Sequence, residues 1–564
     1  MDPQPVRTGV ESPESLRAKT AHIFCVAAIG LLFGLVLMVW TWVRAASMSA
    51  DGAHYMELAE RSRRLGPHAG MDWYAGPGYP VIVGWLSCLV NDLEFAGRLT
   101  SFLFALATLA GVGVLGFRLF GSSVAAVAVG LLGVHTTFVR HAVMAETDAA
   151  YGCWLVWSIL FAWELRRATG FRHLLFAALL GISLGLGYLT RPEAVPLAGL
   201  LGIWYLWPQR ETVSGDTSSV GTTHSRVHWA HRLGCSFLVV AIFLIIASPY
   251  LMKLHEDLGR WSLSGKERSI VLKFVPDKQN YEEVLKLGVT GALLRRPSNI
   301  LHWLPYHLQW GLPQFAKSLH LAILALAALG LVLRGSVRRS IGAVGLLLWA
   351  SVPFIFFFFI TFPGRRYFMQ ALPQFTILAA VGILELADCV ARWRRNAVVW
   401  WNNSPAESAS WRAFRIATLT PVLLVAASTL WGNRKPIEES LRTERAIGER
   451  ILKASGPGRR ILGFTVTAFY ARGERVPLWG PMEGIVRCHG YGKPRTYDDL
   501  VAFVRQNRVE YVVLDHDLRA DCPDFLDRVK PEDFELVIDD IVDHHGPHLV
   551  YRFVRQPVSA MHAN

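Results

Sequence analysis

The run Ile23–Trp40 reads IFCVAAIGLLFGLVLMVW and contains no charged residue. As a helix it is long enough to cross most of a hydrocarbon core about 30 Å thick. It is too extended for the apolar region of a cleaved signal peptide, and no clear small-residue cleavage site follows, so it reads as an uncleaved first span. The same texture returns at Phe237–Ala247, Leu319–Leu333 and Ile341–Ile360. Across 564 residues the chain is 52% hydrophobic and 18% charged, with a mean hydropathy of +0.31. A soluble core of this size needs less apolar surface than that, so the surplus is expected to face lipid. The net charge of +13 does not indicate nucleic acid, because the arginines fall in short clusters between apolar segments, as in cytoplasmic membrane loops.

Orienting the apolar runs by their Lys/Arg flanks predicts about eleven spans of roughly 17 to 25 residues each. The N-terminus lies inside, and the first span, near 22–43, leads to an outer segment from Ser47 to Tyr79. Spans near 97–117 and 123–139 follow, the latter leading out to His141–Asp148. The fourth span ends at Arg166 and Arg167, and the next two meet outside at Thr190-Arg191-Pro192. They return to a basic, Ser/Thr-rich loop, Gln209–Arg232, expected to be flexible. The outer stretch Lys253–Lys317 carries Trp303, Tyr306, His307, Trp310 and Phe315, which suit a helix lying in the interface. Later spans close at Arg334, Arg338 and Arg339, emerge at Pro363–Tyr367, end at Arg392, Arg394 and Arg395, and exit after 416–431. Arg61, Arg63 and Arg64, on the outer side, depart from the positive-inside bias.

The expected fold is therefore a polytopic α-helical membrane protein, residues 1–431, with a C-terminal extracytoplasmic α/β domain, residues 432–564. In that tail, Glu438–Lys453 reads as helix, and Gly456-Pro457-Gly458 separates it from a strand at Arg460–Phe464. Thr496 with Asp499 marks a helix start before Leu500–Gln506. Glu510–Leu514, Phe534–Ile538 and His548–Phe553 read as strands. Of the seven cysteines, only Cys488 and Cys522 fall in the tail, where a disulfide and two free thiols are both open. His544, His545 and His548 flank Gly546-Pro547 and fit a turn between strands better than a zinc site.

This topology gathers the candidate chemistry on one membrane face. Asp51 follows the first span within Ser49-Ala50-Asp51-Gly52-Ala53-His54-Tyr55; in an ordinary role it would be a solvated loop acid or helix cap. Glu146 and Asp148 open the fourth span, where acids also favour a helix N-terminus electrostatically. Arg191 lies between two apolar helices and needs a partner, for which Glu193 is at hand. Arg365-Arg366-Tyr367 is an outer basic patch, suited to a lipid phosphate by the planar guanidinium fork, or to a headgroup anchor. Asp51, Glu146 and Asp148 are hard oxygen ligands, so a divalent cation is possible.

In order along the chain, the acidic Asp51-x-x-x-Tyr55, the stretch Trp73-Tyr74-Ala75-Gly76-Pro77-Gly78-Tyr79-Pro80, Ala145-Glu146-Thr147-Asp148, Leu189-Thr190-Arg191-Pro192-Glu193 and Arg366-Tyr367 before Pro373 resemble the GT-C glycosyltransferases. The branch is that of protein O-mannosyltransferases and the bacterial aminoarabinose transferase of lipid A. The resemblance implies transfer of a sugar from a polyprenyl- or dolichyl-phosphate donor to an acceptor hydroxyl, usually with inversion, outside the cytoplasm or in the ER lumen. It puts Asp51 and Glu146 at the two acidic positions and Arg191 and Arg366 near the lipid phosphate. Aminoarabinose transferases typically have a lysine before the Pro-rich stretch; Tyr74–Gly76 has none, so lipid A modification is not implied.

Read from the residues alone, Asp51 can take the proton of an acceptor hydroxyl, and Arg366, Arg365 or Arg191 can neutralise a leaving phosphate. His54, Tyr55, Tyr74, Asp148 and Tyr367 complete the substrate-binding set; a sugar ring can stack on Tyr55, Trp73 or Tyr74, although aromatics at this depth are more often interface anchors. The acceptor is left open among glycan, lipid and protein. No ER-retrieval signal is evident, which favours a bacterial inner membrane. A polytopic transporter or lipid flippase is the alternative, as is an assembly subunit whose outer domain binds a partner; a transporter would carry its ionisable residues near mid-helix. Because the arginine clusters define the opposite face, a reporter fused after Val558 is expected to behave as exported. Activity of a cytoplasm-only reporter at that position would invert the assignment.

Overall fold

A computed structural model describes residues 13–207, 223–265, 298–333, 341–360, 364–402, 406–476, 494–543 and 546–554. Among these, six helices are long and apolar enough to cross a membrane: Arg17–Val43, Leu93–Phe120, Phe171–Thr190, Trp229–Leu258, Arg365–Arg394 and Ser410–Gly432. A seventh span is formed if the pair Leu304–Leu319 and Leu321–Val332, bent by 84°, is counted as one. Their exposed apolar residues, such as Leu32, Phe117, Phe237 and Leu424, are the surplus that the composition assigned to lipid. The chain is an integral, multi-pass membrane protein.

Four of the spans read from the sequence take shorter or more charged forms. The third becomes Ser122–Gly133 followed by Thr136–His141, and the sixth becomes Ala194–Leu206. At 1.5 Å per residue such helices reach only about 20 Å, so apolarity and length part company. Thr147–Arg167 has span length but carries charged residues at both ends, and Ile341–Ile360 has only its first fifteen residues in a described apolar stretch, Ile341–Ile355. Parts of Gln209–Arg232 and of Lys253–Lys317, together with Arg334, Arg338, Arg339 and Pro363, lie outside the described residues. The aromatic stretch before Lys317 is a continuous helix, Ser298–Leu319. It stops because His320 takes a left-handed φ of 63°, and the His320 imidazole then accepts from the Ala322 N–H to start the next helix.

Helix α1 (Pro13–Val43) crosses α5 (Ser122–Gly133) through glycine on both sides. A Cβ at Gly34 would stand 2.2 Å from the Gly133 carbonyl oxygen, and one at Gly30 would stand 3.2 Å from that of Gly130. Such backbone-to-backbone approach is how apolar helices gain packing energy when lipid itself is as apolar as their side chains. Helix α2 (Ala50–Leu65) pairs Glu57 with Arg61, and Glu60 with both Arg63 and Arg64. The arginines that break the positive-inside bias are therefore answered within their own helix.

All five strands among the described residues come after Trp431. They are β1 (Arg460–Leu462), β2 (Glu474–Val476), β3 (Tyr511–Leu514), β4 (Phe534–Asp543) and β5 (Gly546–Phe553), in the order β2-β1-β3-β5-β4. β1 is parallel to β2 and β3, while β5 is antiparallel to β3 and β4. The period of two divides the core: Leu462, Val512 and Leu514 pack with Leu500 and Phe525 on one side. Ile461, Tyr511 and Val513 pack with Ile447 and Ile451 on the other. Thr496 caps its helix by accepting from the Asp499 N–H at 3.2 Å. Strand β2 escaped the sequence reading because three residues carry too little alternation. The buried Cys522 thiol donates to the Pro494 carbonyl at 3.0 Å, and burial pushes it up to about 12. Cys488, His544 and His545 lie outside the described residues.

Helix Thr465–Tyr470 joins the two halves, Val466 and Tyr470 packing with Met48, Ala53, Met56, Tyr79 and Ala145. The glycine crossing yields a prediction: Gly34→Val should lower the thermal midpoint of the purified protein by several degrees or abolish folded yield. Gly345→Ala, which meets nothing within 4 Å, should leave it unchanged.

Candidate active site

Ser49 accepts from the Gly52 N–H at 2.9 Å and so starts α2, which places Asp51 in its first turn. A Cβ at Gly52 would stand 3.1 Å from the Ala145 carbonyl oxygen, a close approach. That contact sets the start of α2 against the loop carrying Glu146. The Ser49 hydroxyl also donates to Glu146 Oε1 at 2.5 Å, and the Ser101 hydroxyl donates to the Glu146 carbonyl at 3.2 Å. The Gly-Pro-Gly stretch has a similar cause. A Cβ at Gly76 would lie 2.4 Å from the Leu189 carbonyl oxygen, so this loop runs directly against the backbone leading to Arg191.

Asp148, in the first turn of α7 (Thr147–Arg167), meets Arg191 at the end of α8 (Phe171–Thr190) in a direct ion pair. Their side chains are only 2% and 5% exposed. Glu193 Oε1 lies 3.5 Å from the same guanidinium, and the Gln370 amide donates to Asp148 Oδ1 at 3.4 Å. The turn Arg365–Phe368 brings Arg366 Nη1 to 2.5 Å from Asp51 Oδ2 and 4.0 Å from Glu146 Oε1. Unlike the buried pair, Arg366 and Asp51 are 35% and 37% exposed, so this pair is open to a ligand. Both guanidiniums, Arg191 at 5.1 Å and Arg366 at 5.0 Å, lie near the centre of the Tyr367 ring.

The remaining sequence candidates spread around this cluster. Tyr55 packs edge-on to Tyr79 at 5.9 Å, and burial together with the neighbouring Asp51 pushes its phenol well above the usual range, keeping it neutral. His54 is 3.8 Å from Asp72, whose Oδ1 accepts from the Tyr74 N–H at 2.6 Å. Arg365 turns the other way, toward the Thr137 hydroxyl at 3.4 Å.

Five contributors were not singled out from the sequence. Ser49 had a legible signal, a capping serine ahead of an acid. His141 stood in the quoted outer loop without a role; its Nδ1 is 3.6 Å from Glu146 Oε2, and both atoms are buried without a hydrogen-bond partner. Gln370 had no local signal. Neither did Tyr470, whose hydroxyl accepts from the Met48 N–H at 3.3 Å and donates to Glu94 Oε2 at 3.0 Å. Arg98 holds the same segment by donating to the Ser47 carbonyl at 2.9 Å. His141, Glu146 and Asp148 present ligand atoms within 4.8 Å of one another, a nitrogen and two oxygens that could hold a divalent cation. The orphaned Nδ1 and Oε2 fit such an ion, although Asp148 is already shared with Arg191.

With this geometry in view, residues 75–252 match the family model described as dolichyl-phosphate-mannose-protein mannosyltransferase. The apo crystal structure of ArnT from Cupriavidus metallidurans superposes with a TM-score of 0.58 at 13% identity, covering 93% of this chain and 97% of that one. The chain has a GT-C fold. ArnT bound to undecaprenyl phosphate gives a TM-score of 0.57 at 14% identity, with the same coverage. The apo oligosaccharyltransferase of Archaeoglobus fulgidus gives 0.54 at 12% identity, covering 87% of this chain and 69% of that one. No curated protein matches the sequence. Within this GT-C fold the family match runs from Ala75, beside the glycine loop, through Glu146, Asp148 and Arg191; Asp51 and Arg366 lie outside it.

The buried pair gives a test that needs no substrate. Asp148→Asn should leave Arg191 with only the more distant Glu193 as counter-charge and cost up to about 3–5 kcal/mol, read as a loss of thermal midpoint in detergent. Replacing the half-exposed Asp51 by Asn should cost far less.

Proposed function

We propose that the protein is a membrane glycosyltransferase. It transfers a sugar from a polyprenyl-phosphate donor to an acceptor hydroxyl on the extracytoplasmic face, with inversion. The family match and the GT-C fold support glycosyl transfer as the class. The observation that carries the reading is the meeting of Asp51, Glu146 and Arg366 within 4.0 Å at an exposed edge of a buried ionic cluster. Similar structures hold undecaprenyl phosphate in one case and a dolichol-phosphate with an inhibitory peptide in another.

The donor phosphate binds the Arg366 guanidinium, for which it competes with Asp51. Losing its partner, Asp51 is left as a carboxylate beside the incoming hydroxyl. The acceptor oxygen attacks the anomeric carbon and its proton passes to Asp51, while the bond from that carbon to the phosphate oxygen breaks with its electron pair. Arg366 neutralises the charge that grows on the departing polyprenyl phosphate. Glu146, held by Ser49, fixes the position of Arg366. In this reading Tyr55, Tyr74 and His54 contact the sugar, and Arg191 with Asp148 and Tyr367 supports the phosphate side.

We place the protein in a bacterial inner membrane, residues 1–431 forming the membrane domain and 432–564 the outer one. Eleven spans follow if Ser122–His141, Thr147–Arg167, Ala194–Leu206 and Ile341–Ile360 each cross alongside the six long helices and the bent pair. A transporter would place its ionisable residues at mid-span, whereas Asp51, Asp148 and Arg191 sit in the first or last turn of their helices or just beyond.

The assay is transfer from a synthetic polyprenyl-phosphate sugar in detergent. Asp51→Asn should lower turnover by about 10² to 10⁴-fold with thermal stability barely changed, as befits loss of a general base. Arg366→Lys should weaken donor use while keeping the charge, because the planar fork is lost. Undiminished turnover in Asp51→Asn would remove the proposed base and leave Glu146, tested as Glu146→Gln, as the next candidate.

A further inference from the structure

Where α1 ends and the tail begins, a cleft of about 590 Å³ opens between Val43, Arg44, Ala46, Pro436, Arg442 and Arg445. It lies apart from the cluster around Arg366. Arg44, Arg442 and Arg445 line it against a single carboxylate, Glu449, leaving two net positive charges. Arg445 is paired to Glu449 at 2.8 Å. Arg44 and Arg442 have no carboxylate partner among the described residues. Arg44 uses one N–H on the Arg434 carbonyl at 3.0 Å and keeps its other donors for a ligand.

The depth of this cleft is marked by its surroundings. The Arg44 guanidinium lies 4.3 Å from the Trp40 ring centre, and Arg434 lies 4.0 Å from that of Trp431. Trp40 closes the uncharged run of the first span, and Trp431 closes the last long helix. Tryptophans capped by arginines at the ends of two spans sit at headgroup level. Val43, which lines the cleft, is 80% exposed, and Trp431 is 70% exposed, so apolar surface is on offer to an acyl chain beside the guanidiniums.

We propose that this cleft binds the phosphate of an anionic membrane lipid. Guanidinium forks recognise phosphate oxygens, and the net positive charge disfavours headgroups that carry their own cation, such as choline. The inference rests on the chain spanning the membrane and not on glycosyl transfer. The site also ties lipid to the tail, since Arg442 and Arg445 belong to the outer helix Arg442–Ser455 and Arg44 to the end of the first span. Arg445 further donates to the Ala46 carbonyl at 3.3 Å.

The test is native mass spectrometry of the full chain in phosphatidylcholine nanodiscs doped with a few per cent phosphatidylglycerol. Wild type should retain phosphatidylglycerol in excess of its share of the bilayer. The double variant Arg44→Gln/Arg442→Gln should bind it at least about tenfold more weakly, with an unchanged thermal midpoint in phosphatidylcholine alone. Arg44→Lys/Arg442→Lys should fall between the two, because charge survives and the fork does not. Equal retention of phosphatidylglycerol by wild type and the Gln variant would overturn the site. Inorganic phosphate raising the thermal midpoint as much as phosphatidylglycerol, at equal phosphate concentration, would overturn the lipid as its source.

Discussion

A guanidinium that is 5% exposed at the end of an apolar helix must have its charge answered in place, because removing a lone ion from water costs several kcal/mol. Arg191 is answered by Asp148, and the rest of the site depends on that pair. It joins the start of α7 to the end of α8. Gln370, bonded to Asp148, and Tyr367, against Arg191, bring the segment before the long helix Leu372–Asn402 to the same point. Three regions distant in sequence are thereby registered by one buried charge, and Arg366 is delivered at the edge of it.

The two ion pairs divide the labour by exposure. Asp148 and Arg191 are sealed, so their attraction is weakly screened and neither is available to a substrate. Asp51 and Arg366 are each about a third exposed, where an ion pair is worth little on its own. Under the proposed mechanism, that low stability is what lets the donor phosphate take the place of Asp51 on Arg366. Glu146 stands between the two layers, buried but bonded to Ser49 and within 4.0 Å of Arg366.

The C-terminal α/β region takes part in this arrangement. Tyr470 and Arg445 hold the backbone from Ala46 to Met48, a few residues before Asp51, and Arg98 holds Ser47 from the membrane side. The segment that aims Asp51 is thus gripped by both halves of the molecule, and a cleft rich in arginine lies on the far side of the same contact. Docking of the tail and alignment of the first acidic residue are parts of one interface.

What the sequence determined by itself is what local chemistry dictates. Uncharged runs such as Ile23–Trp40 must be helical and in lipid because no other environment satisfies their backbone and side chains together. Thr496 and Asp499 announce a helix start, and the order of acidic and basic motifs marks one membrane face. Tertiary structure alone decided which carboxylate meets which guanidinium. Arg365 and Arg366 are adjacent and chemically identical, yet about 100° of helical rotation per residue sends one to Thr137 and the other to Asp51. The partnership of Tyr470 with Met48, the short helices Ser122–Gly133 and Ala194–Leu206, and the three-residue strand β2 were equally illegible. Each depends on which surfaces the packed helices bring within a few ångströms, and neither periodicity nor spacing along a chain carries that distance.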